Sequence, residues 1–380
     1  MSNYSEIIGF IKKQFENKEF IPLHEPRFSG NEKKYVLDTI DSTFVSSVGA
    51  YVDKFELMMS EISGTNKSIA VVNGTSALQV ALRLAGVNYG DEVITQALTF
   101  IATINAIIYN GAAPIFIDVD LDTMGLSPNA VEAFLEVFGE MRDGECYNKK
   151  TNKKIAACMP MHTFGFPVHM NELLKVCNKW NIPLVEDAAE AIGSEYHSNP
   201  IGSFGKLGVF SFNGNKIVTS GGGGAIVTND VALGIKAKHL TTTAKVPHPY
   251  EYVHDDVGYN FRMPNLNAAL ACAQLEQLPK FIDSKRSLAF EYDSFFKSKG
   301  IYFRTELPQT KANYWLMCVE LENKQERDTF LKETNENGVM TRPIWQLIFK
   351  SPLYSRFQKD DQFNAMNLED RIVNIPSSVR

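Results

Sequence analysis

From about residue 68 to residue 228, short apolar runs of β-forming residues alternate with stretches of helical periodicity. Residues 69–72, 92–95, 114–119, 155–161, 183–186, 209–212 and 225–228 read as strands, and 77–84, 101–109 and 170–180 as helices. Apolar strands joined by helices build a mostly parallel sheet covered on both faces, so the expected fold class is α/β. Ligands of such sheets bind beyond the carboxyl ends of the strands. Asn73, Asp187 and Ser211 each stand at or just past a strand end, which puts all three on one rim.

A chain of 380 residues exceeds the size at which a single core stops growing, which favours two domains. Residues 266–290 carry a long helical period, and a strand at 314–321, a helix at 325–336 and a strand at 339–341 follow. The expected division is an amphipathic helix in 1–22, a large domain in 23–257 and a small α+β domain in 258–380. In the first segment Ile7, Ile8, Ile11 and Phe15 share one helical face. Glu6, Lys12, Lys13 and Glu16 interrupt the apolar run that a signal peptide needs. Residues 241–256, with Pro247 and Pro249, read as a long ordered loop, and 143–154 as a solvated hairpin or insertion.

A net charge of −6 argues against broad binding to nucleic acid or to an anionic membrane, and no run approaches the length of a membrane span. Cys146, Cys158, Cys177, Cys272 and Cys318 are scattered without a CxxC pair. That is the usage of reduced core thiols in a cytoplasmic protein, and no metal centre is expected.

Lys216 lies in Ser211-Phe212-Asn213-Gly214-Asn215-Lys216, followed by the glycines Gly221 to Gly224. About 30 residues upstream, Val185-Glu186-Asp187 closes a strand with acids. A pyridoxal phosphate enzyme needs one lysine to hold the cofactor as a Schiff base and one carboxylate to keep its pyridine nitrogen protonated. It also needs a phosphate cradle. Asn73-Gly74-Thr75-Ser76, between a strand and a helix, offers backbone N–H groups and the positive end of a helix dipole. Each element alone has a plainer reading: a surface lysine, a helix cap, an acid ending a strand. Their combination points to the cofactor.

In order and spacing these elements resemble the DegT/DnrJ/EryC1/StrS family of fold-type I, pyridoxal-phosphate-dependent nucleotide-sugar aminotransferases. The resemblance runs from about Pro22 onward. It is carried by Val72-Asn73-Gly74-Thr75-Ser76-Ala77-Leu78, by Leu98-Thr99-Phe100-Ile101-Ala102-Thr103-Ile104-Asn105 and by Glu186-Asp187-Ala188-Ala189-Glu190-Ala191. The Lys216 motif and Gly258-Tyr259-Asn260-Phe261-Arg262 complete it. The resemblance implies a mostly parallel, seven-stranded-type sheet with a smaller C-terminal domain. It assigns Lys216 to the cofactor's aldehyde and to proton transfer, and Asp187 to the pyridine nitrogen. It gives the phosphate to Gly74, Thr75, Ser76 and Ser211, the ring face to Phe100, and a place near the phenolic oxygen to Glu190. Many relatives carry Gln or His at this last position, so Glu190 marks a subgroup. Asn260 would reach the phosphate across a subunit interface, which implies a homodimer with shared active sites.

The segment 44–56, with Ser46 and Ser47, matches the family's early substrate loop, and Lys245, His248 and Tyr250 stand in a loop that would meet a nucleotide diphosphate. With the N-terminal helix, these features resemble the legionaminic-acid and bacillosamine type. The implied substrates are a UDP-linked 4-keto-6-deoxy-N-acetylhexosamine and glutamate. A GDP-perosamine-type aminotransferase and a non-catalytic sensor on the same fold remain alternatives. A dinucleotide-binding protein is disfavoured, because no GxGxxG opens a helix after the first strand.

Overall fold

The computed structural model describes residues 4–380. Its large domain is built on one continuous sheet. In spatial order the strands are Ala113–Ile117, Glu92–Gln96, Lys153–Met159, Val185–Asp187, Leu207–Ser211, Gly224–Thr228 and Lys67–Val71. Parallel bridges from Cys158 to Leu184 and from Met161 to Asp187 join its two halves. Gly224–Thr228 alone runs antiparallel to its neighbours, so the expected mostly parallel sheet of seven strands is present.

The strand segments are almost wholly buried, as their apolar runs require with helices packed against the sheet. Gly74–Ala85 packs on the strands Leu207–Ser211 and Gly224–Thr228 and on the helix Ile101–Tyr109. A short hairpin, Gly139–Arg142 with Glu145–Asn148, adds to the sheet through Lys153–Met159, which places the polar tract 143–154 at its edge.

The small domain carries an antiparallel sheet in the order Tyr302–Phe303, Met317–Glu320, Ile372–Ile375 and Arg342–Pro343. The helix Ser5–Gln14 docks on this domain. It buries Ile7, Ile8 and Ile11, and Phe15 is buried just beyond it. Phe10 stacks on Phe295 with ring centroids 3.8 Å apart, and Tyr4 meets Phe330 edge-on at 5.0 Å. Within the small domain Lys285 is fully buried, and its Nζ donates to the carbonyl of Ser377 with no acid paired to it among the described residues. Burial pushes this amine down to about 7.

Three sequence expectations change. The long helix expected at 266–290 is two helices, Asn265–Leu275 and Leu278–Ser298, because Pro279 is tolerated only in a first turn. The first of these packs on the helices Glu32–Asp41 and Ala50–Ser63, while the second contacts the small-domain strand Tyr302–Phe303. The tract 241–256 is not an unpaired loop: Lys245–Val246 pairs with Val253–His254 as a hairpin. The strand expected from residue 314 begins at Met317, since Tyr314 has a left-handed φ of 51°.

Phe55 ties this framework to the rim. It is fully buried and meets Phe212 edge-on at 5.1 Å, where the segment leading to Lys216 leaves the sheet. Phe55→Ala is expected to lower unfolding free energy by about 3–5 kcal/mol, measured by denaturant titration. A loss below about 1 kcal/mol would show that this packing does not support the segment.

Candidate active site

One cavity of about 610 Å³ opens where the large domain's rim faces the small domain. Its lining includes Gly74, Thr75, Phe100, Asp187, Glu190, Ser211 and Lys216 from the large domain, with Trp315, Arg342, Trp345 and Asn374 from the small one.

The connection between the antiparallel strands Leu207–Ser211 and Gly224–Thr228 carries Lys216. A tight turn, Lys216 N–H to Asn213 O at 3.0 Å, lifts the side chain off the sheet, and Phe212 N–H to Gly223 O at 2.9 Å closes the base. The small domain secures the turn from above, where the Trp315 indole N–H donates to Asn215 O at 2.8 Å. Lys216 is only 9% exposed. Its Nζ lies 3.2 Å from Glu190 Oε1 and 3.9 Å from the centroid of the Trp315 ring.

Adjacent acids at the end of one strand do different work because their side chains point to opposite faces. Glu186 accepts N–H groups from Gly202, Phe204 and Gly205 at 2.7–2.9 Å and lies 3.3 Å from His162 Nε2, so it fastens a loop behind the sheet. Asp187 faces the cavity. It accepts the Thr103 hydroxyl at 2.7 Å and the Ala189 N–H at 3.2 Å. Burial raises its carboxyl above the ordinary range, so a cationic partner is what would hold it ionised. Glu190 is buried too. It accepts the Phe164 N–H at 2.9 Å as well as the Lys216 ammonium, and burial pushes it up to about 7.

Asn73 is the N-cap of Gly74–Ala85, its Oδ1 accepting the Ser76 N–H at 2.8 Å. The N–H groups of Gly74 and Thr75 in the first turn have no intrahelical acceptor. A Cβ at Gly74 would stand 2.9 Å from Ser211 Cβ, and one at Gly224 would stand 2.6 Å from the Asn73 carbonyl. Glycine is what lets these three backbones converge. A first-turn N–H pair, a hydroxyl, a buried acid wanting a cation and a buried amine form a donor set that fits a phosphorylated pyridinium aldehyde.

Other expected site residues lie elsewhere in the single chain. Ser76 is buried beneath its cap and does not line the cavity. Ser46, Asn260, His248 and Tyr250 are exposed, and Ser47 and Lys245 are half-buried. The hairpin is internally ordered: Lys245 Nζ sits 4.0 Å over the Tyr252 ring, and His248 packs edge-on to Tyr250 at 4.7 Å. None of these lines the cavity. Conversely, Thr103, Trp315, Arg342, Trp345 and Asn374 were not singled out from sequence. Thr103 had a signal in its place one turn into the helix that starts beside Phe100; the others come from a distant part of the chain.

Glu190 makes a pH-dependent contribution whose sign is fixed. Its folded value lies above its unfolded one, so the contribution is complete below the ordinary carboxylate range and disappears as pH rises through about 7. In cofactor-free protein the stability of wild type relative to Glu190→Gln should therefore fall by roughly 1–3 kcal/mol between about pH 5 and pH 8. A flat difference across that interval in denaturant unfolding would refute the assignment.

The family profile of the DegT/DnrJ/EryC1/StrS aminotransferase family matches residues 26–380. GDP-perosamine synthase of Escherichia coli O157:H7 is 36% identical over 94% of this chain and 93% of its own. GDP-perosamine synthase of Vibrio cholerae is 35% identical over 94% of each. The solved structure of Helicobacter pylori PseC, an aminotransferase involved in the biosynthesis of pseudoaminic acid, superposes with a TM-score of 0.85 at 24% identity over 94% of both chains, a likeness of fold. The chain belongs to the DegT/DnrJ/EryC1/StrS aminotransferase family and is a pyridoxal-phosphate-dependent sugar aminotransferase.

Proposed function

We propose that this enzyme moves an amino group from glutamate to the C4 ketone of a nucleotide-linked 4-keto-6-deoxy sugar, specifically a UDP-4-keto-6-deoxy-N-acetylhexosamine. The observation that carries the reading is one cavity lined by Lys216, Asp187, Glu190, Ser211 and the first turn of Gly74–Ala85. Asp187 holds a proton on the pyridine nitrogen, with Thr103 fixing the carboxylate. The N–H groups of Gly74 and Thr75 and the Ser211 hydroxyl bind the phosphate. Phe100, 49% exposed on the cavity wall, covers the ring face. When bound, pyridoxal phosphate supplies the electron sink for the bonds broken at the amine-bearing carbon. Lys216 Nζ takes the proton from the donor's α-carbon and later delivers one at C4 of the sugar.

The working unit in this reading is a homodimer. Leu37, Ile40, Phe44 and Val48 are exposed apolar side chains around Ser46 and Ser47, a surface that a second copy would cover. Asn260 and the hairpin of Lys245, His248 and Tyr250 then serve the partner's cavity. A second reading, GDP-linked sugar in place of UDP, has its own support in the two GDP-perosamine synthases at 35–36% identity.

Glutamate should bleach the visible absorbance of the bound cofactor, and the UDP-linked 4-keto-6-deoxy-N-acetylhexosamine should restore it. Restoration by the GDP-linked 4-keto-6-deoxy sugar alone would replace the UDP reading with the second one. Restoration by neither would refute both. Lys216→Ala should abolish the bleaching and the borohydride-stable adduct, read by mass spectrometry; an adduct on another lysine would displace Lys216 from its role.

A further inference from the structure

The cavity's lining holds two cationic side chains, and the function above uses only Lys216. The other is Arg342, on the small-domain strand Arg342–Pro343. Its Nη1 is held by the Asn335 Oδ1 at 3.1 Å and the Thr341 carbonyl at 2.9 Å, both neutral acceptors. Among the described residues no carboxylate pairs with it, and its Nε and Nη2 meet no protein acceptor. One arm of the guanidinium is therefore anchored while the rest of the fork is free, an arrangement matched to a planar anion.

A second observation lies directly across the sheet. Arg342 is the register partner of Asn374 on the strand Ile372–Ile375, so the two side chains project from the same face. Asn374 also lines the cavity; it is 4% exposed, and its buried Oδ1 has no hydrogen-bond partner. A buried amide without a partner costs free energy unless a ligand completes it. The amide can turn to present either its oxygen or its NH₂ to a bound group.

We infer that Arg342 and Asn374 form the subsite for the α-carboxylate of the amino donor. The inference rests on the aminotransferase reading of the cavity and adds the residues that choose its first substrate. Chemistry separates the two anions that this cavity could meet. The α-carboxylate is bonded to the carbon that bears the reacting amine, so it must share the cavity with Lys216. The diphosphate of a nucleotide sugar hangs from C1, across the pyranose ring from the C4 ketone, and so lies away from the reacting centre.

The test separates the half-reactions on the holoenzyme. Stopped-flow bleaching of the visible absorbance is followed with glutamate, glutamine and alanine as donors. Return of the absorbance is followed with the keto-sugar nucleotide. Arg342→Met should raise the apparent Kd of every reactive donor by roughly 30- to 100-fold, the scale of a lost charge-assisted pair. Arg342→Lys should recover part of that loss, and Asn374→Ala should cost roughly 5- to 10-fold. The sugar half-reaction should stay within about 3-fold in all three, and calorimetric binding of 2-oxoglutarate to Arg342→Met should weaken in step with the donors. Unchanged donor affinity in Arg342→Met overturns the assignment, as does an equal or larger loss in the sugar half-reaction, which would give Arg342 to the diphosphate. A wild-type enzyme that accepts the amine yet returns it to no keto-sugar refutes the sugar reading while leaving the donor comparison valid.

Discussion

The shape of the cavity depends on three backbones meeting at a single point on the sheet's rim. Because Gly224–Thr228 runs against its neighbours, its first residue lies beside the last residues of both flanking strands, Val71 and Ser211. Side chains at Gly224 or Gly74 would collide with Asn73 and Ser211. Without a Cβ at either position, the helix start at Gly74, the Ser211 hydroxyl and the base of the Lys216 loop come into one small volume. The reversal of one strand also creates that loop, since only an antiparallel neighbour can be joined by so direct a connection.

The second constraint is the closing of the cavity by a different domain. Trp315 does two things at once: its N–H holds the Lys216 turn through Asn215, and its ring face lies against the ammonium. Phe164 links this wall to Trp345, with centroids 6.3 Å from Trp315 and 4.8 Å from Trp345. The Phe164 N–H also fixes the Glu190 carboxylate. The acid beside the lysine is thus oriented by a residue in a left-handed backbone conformation, φ 56°, buried between the two domains. Movement of the small domain would disturb both partners of the Lys216 ammonium together.

Much of the large domain was legible in sequence because buried parallel strands leave unbroken apolar runs, and helix starts leave caps such as Asn73. The convergence of the Lys216 loop, Asp187 and the Gly74 turn on one rim was readable for the same local reason. What escaped was non-local or two-sided. The helical period of residues 266–290 runs unbroken across Pro279, which stands in the first turn of a second helix. The residues 245–254 lack the alternation that marks a strand, and the hairpin has only two paired positions. At Glu186-Asp187 the sequence left open the work of Glu186, whose side chain fastens residues 202–205 on the face away from the cavity. Arg342 and Asn374 stand in ordinary polar positions, and their significance arises from cross-strand register alone.

Lys285 carries a consequence for the protein's behaviour as a folded body. Its amine releases its proton near neutrality inside the small domain, whereas the same amine in a disordered chain keeps it until far more alkaline solution. Over the interval between those points the disordered form holds the extra proton, so folding is increasingly favoured as the medium turns basic. The carbonyl that receives this amine, that of Ser377, lies two residues beyond the strand that bears Asn374. Alkalinity thereby favours the folded chain as a whole, a tendency opposite to that of the Glu190 carboxyl.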